Sequence, residues 1–560
     1  MPRPSHQKPA PVRPAPRDAL PPLAAPLRWW LLLATAAAAV LRMWDLGTWS
    51  LWIDEAHTFR DATIPLYGEG GLLEQNRALY PVPFLLLRGL FALGLGQDET
   101  ALRLPFALVG IATVPLLGWW GRRLVGDGGA VVAAWLCAVH PWHVFWSQNA
   151  RGYGLAFLCA AWATQLADRW AEHGGARRLL ATLAVVCLGM LCHPTTGSLA
   201  LGLVVFALVR RAPRLGPTQV AVLALAAVSV LFGLPLALVA WSPYEDFLRA
   251  KANPSLVHFL QTTAFYYRPI LLLAALVGWL GIQQRIGAVR SRLLACLAGM
   301  PLFALAVVGA SVAQTTARYS IGVFPLILWL GGALAVQAGA AVRGVAPRPA
   351  LRLRVAGALA LLALPLECLA VLPGYYLDRH GDRGRWREAF AAAQAHLAGQ
   401  PIYVVTVAQP IATYYLQRQR WAAGPGATAA TVQIHALTRW GVQGLPNRKS
   451  NTTGEAVPDS SPEAVRLHAP GGQNHLRWHA AAAQKWGGRL VVVTTLPELA
   501  EFDDGELAPA LQRDFDLIEH LPCFVGPKDE SLYVYVLRPP SPPPRVPGEA
   551  PGGTGLPGGG

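Results

Sequence analysis

Two adjacent carboxylates, Asp54 and Glu55, lie a few residues beyond the first long apolar segment of the chain. Tryptophans lie close to them in the sequence, which is typical of a segment at the depth of lipid headgroups. A carboxylate there could take the proton of an acceptor hydroxyl while a lipid-linked leaving group lies in the plane of the membrane. In the structural alternative, Asp54 caps a short helix whose positive end favours Glu55. The pattern alone is consistent with both interpretations.

Two isolated arginines, Arg151 and Arg318, lie at the ends of apolar segments with Tyr153 and Tyr319 beside them. A lone arginine in that position could bind a phosphate through charge-assisted hydrogen bonds. The alternative is ordinary snorkelling of the side chain to the interface, which is common for an isolated arginine. His193, in a tight turn with Pro194, is a further polar candidate on the same predicted face.

Other polar groups carry weaker signals. His140 and His143 are three residues apart and could face a metal together. Without a third ligand, however, packing is the favoured interpretation, and the requirement for a divalent metal is left open. A later loop holds Tyr244, Glu245, Asp246, Lys251, His258 and Arg268. The informative property of all these groups is that they are expected on one face of the molecule.

The composition indicates a polytopic membrane protein. Of 560 residues, 53% are hydrophobic and 14% charged, and the apolar residues form long blocks, which excludes a string of soluble domains. The net charge of +15 comes mostly from arginines in gaps between apolar runs and in the N-terminal tail. Arginines in such positions set the orientation of a membrane protein, so they explain the positive charge and no nucleic-acid partner is expected. Six of the seven cysteines fall in or at the ends of apolar runs, and Cys523 stands alone, so no disulfide framework is predicted.

Arginine clusters occupy every second gap between the apolar runs. Short loops rich in arginine stay in the cytoplasm, so this alternation predicts a cytoplasmic N-terminus in the cell (inner) membrane. The candidate residues above fall in the intervening gaps and are therefore expected on the extracytoplasmic face. The clusters are Arg122 and Arg123; Arg169, Arg177 and Arg178; Arg210, Arg211 and Arg214; Arg285, Arg290 and Arg292; and Arg343, Arg348, Arg352 and Arg354.

The apolar runs predict about eleven membrane-spanning helices. The first run, from Trp29 to Trp44, is rich in alanine like a signal-peptide core. The long tail before it and the bulky residues at its end favour an uncleaved span, with a signal peptide as the alternative. The other runs are approximately residues 102–121, 129–146, 153–168, 179–193, 196–209, 219–241, 269–283, 293–313, 320–342 and 355–372.

The apolar stretch from Tyr80 to Gly96 is interpreted as lying beside the membrane rather than crossing it. If it crossed, every later loop would change sides and all the arginine clusters would lie outside. Pro81, Pro83 and Arg88 also make it a poor spanning helix. Residues 45–101 are therefore predicted to form one large external loop with juxtamembrane helices.

The composition changes sharply after the membrane module of residues 27–372. A small α/β domain is predicted for residues 373–539, and the odd number of spans places it outside the cytoplasm. Its helix candidates are Trp386–Leu397 and Leu496–Phe515, and its strand candidates are Ile402–Val407, Leu490–Thr494 and Leu532–Leu537. Irregular loop is predicted for about residues 420–480, a disordered basic tail for residues 1–26, and a disordered Pro/Gly tail for residues 540–560.

Several short segments, in order along the chain, resemble the signatures of bacterial glycosyltransferase family 39 relatives. They are Leu51–Ala56, Ala101–Pro105, Gly121–Leu124, His140–His143, Ser147–Tyr153, and Arg318–Tyr319 with Pro325. The family consists of membrane glycosyltransferases of the GT-C fold, akin to protein mannosyltransferases and to the enzymes that put aminoarabinose on lipid A. The resemblance covers about residues 29 to 342.

This resemblance implies transfer of a sugar from a polyprenyl-phosphate carrier on the extracytoplasmic face, with an essential acid in the first external loop. Asp54 matches that acid, and Glu55 matches its neighbour. Relatives often read His-Pro-Pro-Leu where this chain has Tyr80 to Pro83, and they often carry Glu at the position of Asn149. Because of these departures, the resemblance does not extend to a second catalytic carboxylate or a metal site, and it does not identify the donor sugar.

The sequence is therefore interpreted as a membrane glycosyltransferase that transfers a sugar to an envelope acceptor, which is a lipid, a glycan or a protein. The alternatives are a transporter or flippase of lipid-linked sugars and a catalytically inactive membrane scaffold. A flippase would show inverted repeats or polar residues at mid-membrane, and Glu367 within the last run has that character. The candidate catalytic residues are Asp54 and Glu55, and the candidate substrate-binding residues are Arg151, Tyr153, Arg318, Tyr319, His193 and Tyr80.

The predicted orientation can be tested by cysteine labelling. A cysteine introduced at Gly70 or Gly472 is expected to react with a membrane-impermeant thiol reagent in cells whose outer barrier is permeabilised. A cysteine at Gly216 should stay unlabelled, because its loop belongs to the arginine-rich set. Labelling at Gly216 together with protection at Gly472 would reverse the orientation.

Overall fold

The computed structural model describes residues 21–68, 71–74, 79–210, 254–311, 315–342, 359, 363–397, 400–423, 432–437, 472–495, 507–525 and 528–539. The chain divides into two compact units. The first comprises Met1–Ser50 and Asp54–Arg383, and the second comprises Leu51–Ile53 and Gly384–Gly560. The predicted span at residues 219–241, the charged residues from Tyr244 to Lys251 and the C-terminal tail lie outside the described residues.

The first unit is helical in its described part. Its α-helices are α1 Ala25–Met43, α2 Ile53–Thr63, α3 Val82–Ala92, α4 Glu99–Val139, α5 Pro141–Ser147, α6 Tyr153–His173, α7 Ala176–Cys192, α8 Ser198–Val209, α9 Leu256–Tyr267, α10 Pro269–Ser311 and α11 Phe324–Val342. Short 3-10 helices are formed by Leu72–Glu74, Pro194–Gly197 and Ala317–Val323, and Gly374–Asp378 forms a π-helix turn.

Helix α4 is a hairpin of two helical segments rather than one straight rod. Gly126, with φ of 78°, interrupts its helical backbone. An added Cβ at Gly118 would lie 3.3 Å from the Cβ of Ala134, so residues equally far before and after Gly126 lie side by side. The two segments correspond to the predicted spans 102–121 and 129–146. The second prediction was too long, because the helix ends at Val139 and the proline at residue 141 starts α5.

Helix α10 has a similar interruption at Gly287, where φ is 75°. The indole nitrogen of Trp279 donates to the carbonyl of Ser291 across this break, at 3.2 Å. Two predicted spans, residues 269–283 and 293–313, fall on either side of it. At its other end α10 follows α9 after a bend of 84°, with Arg268 in the left-handed region at the junction, φ of 67°.

Three helices in the described part of the chain are long and apolar enough to cross a membrane. They are Glu99–Val139, Arg285–Ser311 and Ala317–Ala340, and the bent pair Leu256–Tyr267 with Pro269–Gln283 would add a fourth. The figure of about eleven spans therefore stays a prediction. Helix α3 has 11 residues, well short of the roughly 20 needed to cross, and the position of Tyr80–Gly96 beside the membrane stays a prediction.

A cluster of charges joins three helices at one end of the first unit. Asp168 on α6 is almost fully buried: Nε of Arg123 on α4 donates to its Oδ2 at 3.3 Å, and Nε of Arg290 on α10 lies 2.7 Å from its Oδ1 in an ion pair. Both arginines also pair with Glu172. Arginines from two predicted cytoplasmic loops thus meet at the same end, with acidic partners that were not foreseen, and the orientation of this end in the membrane stays a prediction.

Arg42, at the end of α1, is fully buried. Its guanidinium donates to the carbonyls of Cys137 and Ala138, both at 2.9 Å, and to Nδ1 of His143 at 2.7 Å. These carbonyls belong to the last turn of α4, where a helix leaves acceptors unsatisfied and carries partial negative charge. A cation is therefore a favourable cap for this helix end. His143 takes part in the cap, because its Nδ1 accepts a hydrogen bond from Arg42.

The second unit contains a mixed five-stranded sheet with the order β2, β1, β3, β7, β4. The first three of these run parallel, and β7 and β4 are antiparallel to their neighbours. The strands are β1 Ile402–Thr406, β2 Val432–Ala436, β3 Arg489–Thr495, β4 Phe515–Leu521, β5 Phe524–Val525, β6 Lys528–Asp529 and β7 Leu532–Leu537, and the helices are α12 Trp386–His396, α13 Gln409–Ala423, α14 Gly472–Trp486 and α15 Leu507–Asp514. Helices α14 and α15 contribute Leu476, Ala483 and Leu511 to one apolar core with Val405 and Val492 of the sheet.

The three predicted strands coincide with β1, β3 and β7, because continuous runs of β-branched residues are typical of buried strands. The helix candidate Leu496–Phe515 contains α15, Leu507–Asp514; residues 496–506 lie outside the described residues, and Phe515 begins β4. Two other predictions for this region were wrong. The stretch 420–480, predicted as irregular loop, contains β2 and the start of α14. Residues 373–383, assigned by composition to the C-terminal domain, belong to the first unit.

Close packing of α11 against α4 predicts a sharp response to one added methyl group. A Cβ at Gly332 would lie 2.2 Å from the carbonyl oxygen of Gly129, a backbone atom that has no rotamer to move away. Gly332→Ala is expected to destabilise the protein by about 3 kcal/mol, measured as a lower unfolding midpoint in detergent. Gly299→Ala on α10 is the control, because no atom lies within 4 Å of its added Cβ. Equal midpoints for the two variants would contradict this packing.

Candidate active site

The two carboxylates of the first loop lie in the first turn of α2 and have different environments. Glu55 is fully buried, whereas Asp54 is partly exposed. Of the tryptophans predicted at headgroup depth, Trp44 is exposed, but Trp49 is buried with its ring 5.3 Å from that of Tyr375. The adjacent acids are therefore placed for different roles.

Glu55 forms a two-pronged ion pair with Arg103 of α4. Nε of Arg103 donates to one carboxylate oxygen and Nη2 to the other, both at 2.8 Å, and both side chains are fully buried. The remaining donors of Arg103 bind the carbonyls of Leu46, Trp49 and Ser50, at 2.8 to 3.0 Å. The arginine thus fixes the backbone segment that leads into α2.

Glu55 also holds a second segment in place. Its carboxylate accepts the backbone N–H of Ala150 at 2.9 Å, and Nε of Arg383 lies 3.5 Å from it. Arg383 in turn donates to the carbonyl of Gln148 at 2.7 Å. The loop between α5 and α6, which carries Arg151, is therefore attached to the same buried carboxylate as the helix that carries Asp54.

Arg151 lies next to α2 and close to Asp54. Its Nη1 donates to Oγ1 of Thr58 at 3.2 Å and to the backbone carbonyl of Asp54 at 3.4 Å. The charges of Asp54 and Arg318 both act on its guanidinium. The next residue must be glycine, because a Cβ at Gly152 would lie 2.0 Å from the carbonyl oxygen of Cys192.

Aromatic rings form one side of this region. Tyr153, the first residue of α6, stacks on Trp146 with ring centroids 3.8 Å apart, and His193 lies 4.1 Å from Tyr153. The ring of Tyr80 lies 6.2 Å from that of His193. Burial, together with the positive charges of Arg151 and Arg318, lowers the pKa of His193 to about 3, so its imidazole is neutral at physiological pH.

Arg318 approaches the region from the 3-10 helix before α11. Its Nη2 donates to the hydroxyl of Tyr319 at 3.2 Å, and its guanidinium lies 5.1 Å from the centre of that ring. The negative charge of Asp54 acts on it. Seven of the eight predicted site residues are therefore brought together, and the eighth, Glu55, lies behind them in the protein interior.

Three functional contacts were missed from the sequence. Arg103 belongs to the Ala101–Pro105 segment, but its role as a partner of Glu55 was not recognised. An arginine in an otherwise apolar helix was a usable signal, because a buried guanidinium requires an acid or several other acceptors as partners. Arg383 and Thr58 carry no such signal, since loop arginines and helix threonines are common.

Other predicted residues have structural roles. The side chain of His140 caps α5 by accepting the N–H of Trp142, at 3.3 Å, and His143 is bound by Arg42. Glu367 accepts the N–H of Ile270 at 3.5 Å, at the start of α10, where a negative charge is favoured. Within the described ranges, no three His, Cys, Asp or Glu side chains lie close enough to hold a metal ion. Asn149 is fully buried, and its amide has no hydrogen-bond partner there.

Comparison with known proteins supports the resemblance. Residues 78–238 match the family model described as dolichyl-phosphate-mannose-protein mannosyltransferase. The fold is similar to that of ArnT from Cupriavidus metallidurans in the apo state, with a TM-score of 0.52 and 15% identity over 91% of this chain and 98% of that one. The predicted likeness to GT-C membrane glycosyltransferases is thus confirmed at the level of the fold.

Two further solved structures resemble the chain at lower TM-scores. ArnT from the same organism bound to undecaprenyl phosphate gives 0.48 with 14% identity, over 92% of this chain and 98% of that one. The Archaeoglobus fulgidus oligosaccharyltransferase tethered to an acceptor peptide gives 0.49 with 12% identity, over 90% of this chain and 74% of that one. No curated protein sequence matches the chain significantly.

The contrast between the two acids predicts that they differ in their effect on stability. In Glu55→Gln, Arg103 would keep its charge in the interior without an ionised partner, which costs about 3 to 5 kcal/mol of folding free energy. Asp54→Asn should leave stability unchanged, because its side chain is partly exposed. Thermal unfolding of the purified variants in detergent measures both. A wild-type midpoint for Glu55→Gln would mean that the ion pair does not form.

Proposed function

We propose that the protein is a membrane glycosyltransferase that transfers a sugar from a polyprenyl-phosphate donor to an envelope acceptor. The observation that carries the proposal is the convergence of one partly exposed carboxylate, Asp54, with two arginines, Arg151 and Arg318, from different parts of the chain. The two cations suit a phosphate, and the acid suits the proton of an attacking hydroxyl. The match to a mannosyltransferase family model supports the reaction class.

In this mechanism the acceptor hydroxyl attacks the anomeric carbon from the face opposite the phosphate. The new carbon–oxygen bond forms as the bond to the phosphate oxygen breaks, so the configuration at the anomeric carbon is inverted. The electron pair of the broken bond remains on the phosphate, and the hydroxyl proton passes to the carboxylate of Asp54. The atoms and charges balance without a redox partner.

The arginines act mainly on the transition state. Negative charge on the departing phosphate increases as the glycosidic bond breaks, so fixed cations bind the transition state more tightly than the donor. Arg318 is held by Tyr319, and Arg151 by Thr58, so neither guanidinium must be ordered during the reaction. Neutral His193 and the Tyr80 and Tyr153 rings are proposed to line the sugar-binding side.

The reaction is proposed to occur on the extracytoplasmic face of the cell membrane. The charged cluster of Arg123, Asp168 and Arg290 supports this orientation, because it gathers predicted cytoplasmic arginines at one end of the first unit. The candidate residues belong to the connections that alternate with those clusters. The second unit is proposed to be extracytoplasmic as well.

The flippase alternative loses its main sequence support. Such a protein needs polar groups within the membrane to bind its cargo, and Glu367 had that character. Glu367 accepts a backbone N–H at the start of α10, and buried Arg42 caps the end of α4. Both charges are thus used to complete helix ends.

Asp54→Asn is expected to reduce sugar transfer roughly a hundredfold or more, because an amide cannot accept the hydroxyl proton. The measurement is transfer of labelled sugar by purified protein incubated with a panel of polyprenyl-phosphate sugars and extracted envelope components. The protein used should have a wild-type unfolding midpoint.

The matched control is Asp98→Asn. Asp98 caps α4 by accepting the N–H of Ala101 at 2.9 Å, and asparagine serves equally well at a helix cap. This variant should keep full activity, as Asp54→Asn would if Asp54 were only a helix-capping residue. Wild-type turnover in Asp54→Asn would remove the catalytic assignment.

A further inference from the structure

Three consecutive residues directly before Arg383 have left-handed backbone conformations. They are His380, Gly381 and Asp382, with φ of 48°, 64° and 54°, and together they form a left-handed turn. Residues other than glycine rarely adopt such angles, because their Cβ atoms come too close to the backbone. Strain of this kind persists only where surrounding contacts enforce it, and it is concentrated at functional sites. The contacts of the left-handed turn therefore indicate what its strain achieves.

Hydrogen bonds and packing enforce the conformation of this turn. The N–H of Gly381 donates to the carbonyl of Tyr375 at 3.0 Å, and the N–H of Asp382 donates to the carbonyl of Arg379 at 2.8 Å. Nε of Arg379 also forms an ion pair with the carboxylate of Asp382 at 2.7 Å. The middle residue must be glycine for a second reason, because an added Cβ would lie 2.5 Å from the ring of Trp49.

The first residue of the turn holds the segment that leads to Asp54. Nε2 of His380 accepts the backbone N–H of Ser50 at 3.1 Å, so this nitrogen carries no proton. Ser50 is fully buried, and its carbonyl accepts from Arg103 at 2.8 Å. Because both backbone groups of Ser50 are bound, the path of the chain four residues before Asp54 is fixed.

The residue that follows the turn holds the loop that carries Arg151. Nη2 of Arg383 donates to the carbonyl of Gln148, and its Nη1 donates to the carbonyl of Gly381, both at 2.7 Å. Arg383 is thus attached both to the turn itself and to the loop between α5 and α6. Two residues only three positions apart therefore bind the two segments of the candidate site that carry Asp54 and Arg151.

We propose that the left-handed turn is a positioning element of the reaction and that His380 is the positioning residue for Asp54. The inference rests on the proposed sugar transfer, in which Asp54 takes the hydroxyl proton. His380 acts through the backbone that leads into α2, and it keeps the carboxylate of Asp54 at its distance from the guanidinium of Arg151. Misplacement of a reacting group by about 1 Å can lower a rate roughly a hundredfold, so one backbone hydrogen bond can have a large effect on kcat.

The test uses two substitutions of His380 in the full-length protein that separate position from stability. In His380→Gly the strain is removed, because glycine adopts positive φ freely, but the acceptor for the N–H of Ser50 is lost. Its unfolding midpoint in detergent should stay close to that of the wild-type protein. Its kcat for sugar transfer should fall roughly tenfold to a hundredfold, with little change in KM for the donor. In His380→Gln the side-chain oxygen can accept the same N–H, so kcat should stay within about threefold of wild type although the strain remains.

The matched control is His396→Gln. His396 is exposed in the last turn of α12, and this variant should have the kcat and the unfolding midpoint of the wild-type protein. Wild-type kcat in His380→Gly would overturn the proposal. A His380→Gln variant as slow as His380→Gly would overturn it as well, because the acceptor would then have no role.

Hydrogen exchange separates this inference from the proposed function, because it requires no turnover. Exchange in the peptide that contains Ser50 should be about tenfold faster in His380→Gly than in the wild-type protein and close to wild type in His380→Gln. Exchange in α12 should be the same in all three proteins. Unchanged exchange at Ser50 in His380→Gly would overturn the inference whatever the activity. If the wild-type protein transfers no sugar, the proposed function fails, whereas faster exchange at Ser50 would still support the hold of His380 on this segment.

Discussion

The fold around the candidate site depends on one buried ion pair, between Glu55 and Arg103. The carboxylate makes four contacts, and they connect the helix that carries Asp54 with the loop that carries Arg151. Such a pair adds little net stability compared with apolar packing, because desolvation of both charges offsets their attraction. Its value is geometric: the partly exposed acid Asp54 and the guanidinium of Arg151 keep a defined separation although they come from distant parts of the chain.

The same residue type serves three distinct purposes in this protein. Arg123 and Arg290 share the buried Asp168 at one end of the first unit, where they join three helices. Arg42 caps the end of a helix in the interior. Arg151 and Arg318 lie beside aromatic rings and one carboxylate. The environment of each guanidinium therefore decides its role, and its position in the sequence alone does not.

The sequence predicted those features that depend on local pattern. The strands β1, β3 and β7 were found because buried strands are continuous runs of β-branched and aromatic residues, and the candidate site residues were selected because polar groups between apolar runs are few. The pairing of Glu55 with Arg103 was not found: the arginine in an apolar helix indicates that a partner exists, but a contact between residues 48 apart leaves no periodic signal that identifies it. Strand β2 and helix α14 were missed because surrounding residues rich in glycine, asparagine and proline obscured their short patterns. The separation of Asp54 and Glu55 into an accessible and a buried acid likewise depends on tertiary packing.

The cap formed by Arg42 has a consequence for biogenesis. The carbonyls of α4 that bind it belong to residues translated 95 and 96 positions later, so α1 leaves the ribosome with a charge whose one acceptor within the helix is the carbonyl of Ala38. A guanidinium within lipid is costly, by about 3 kcal/mol even on insertion scales. The first helix is therefore expected to stay at the aqueous edge of the insertion machinery until the α4 hairpin arrives. Helix insertion in this protein would then be a concerted event of several segments rather than a sequence of independent ones.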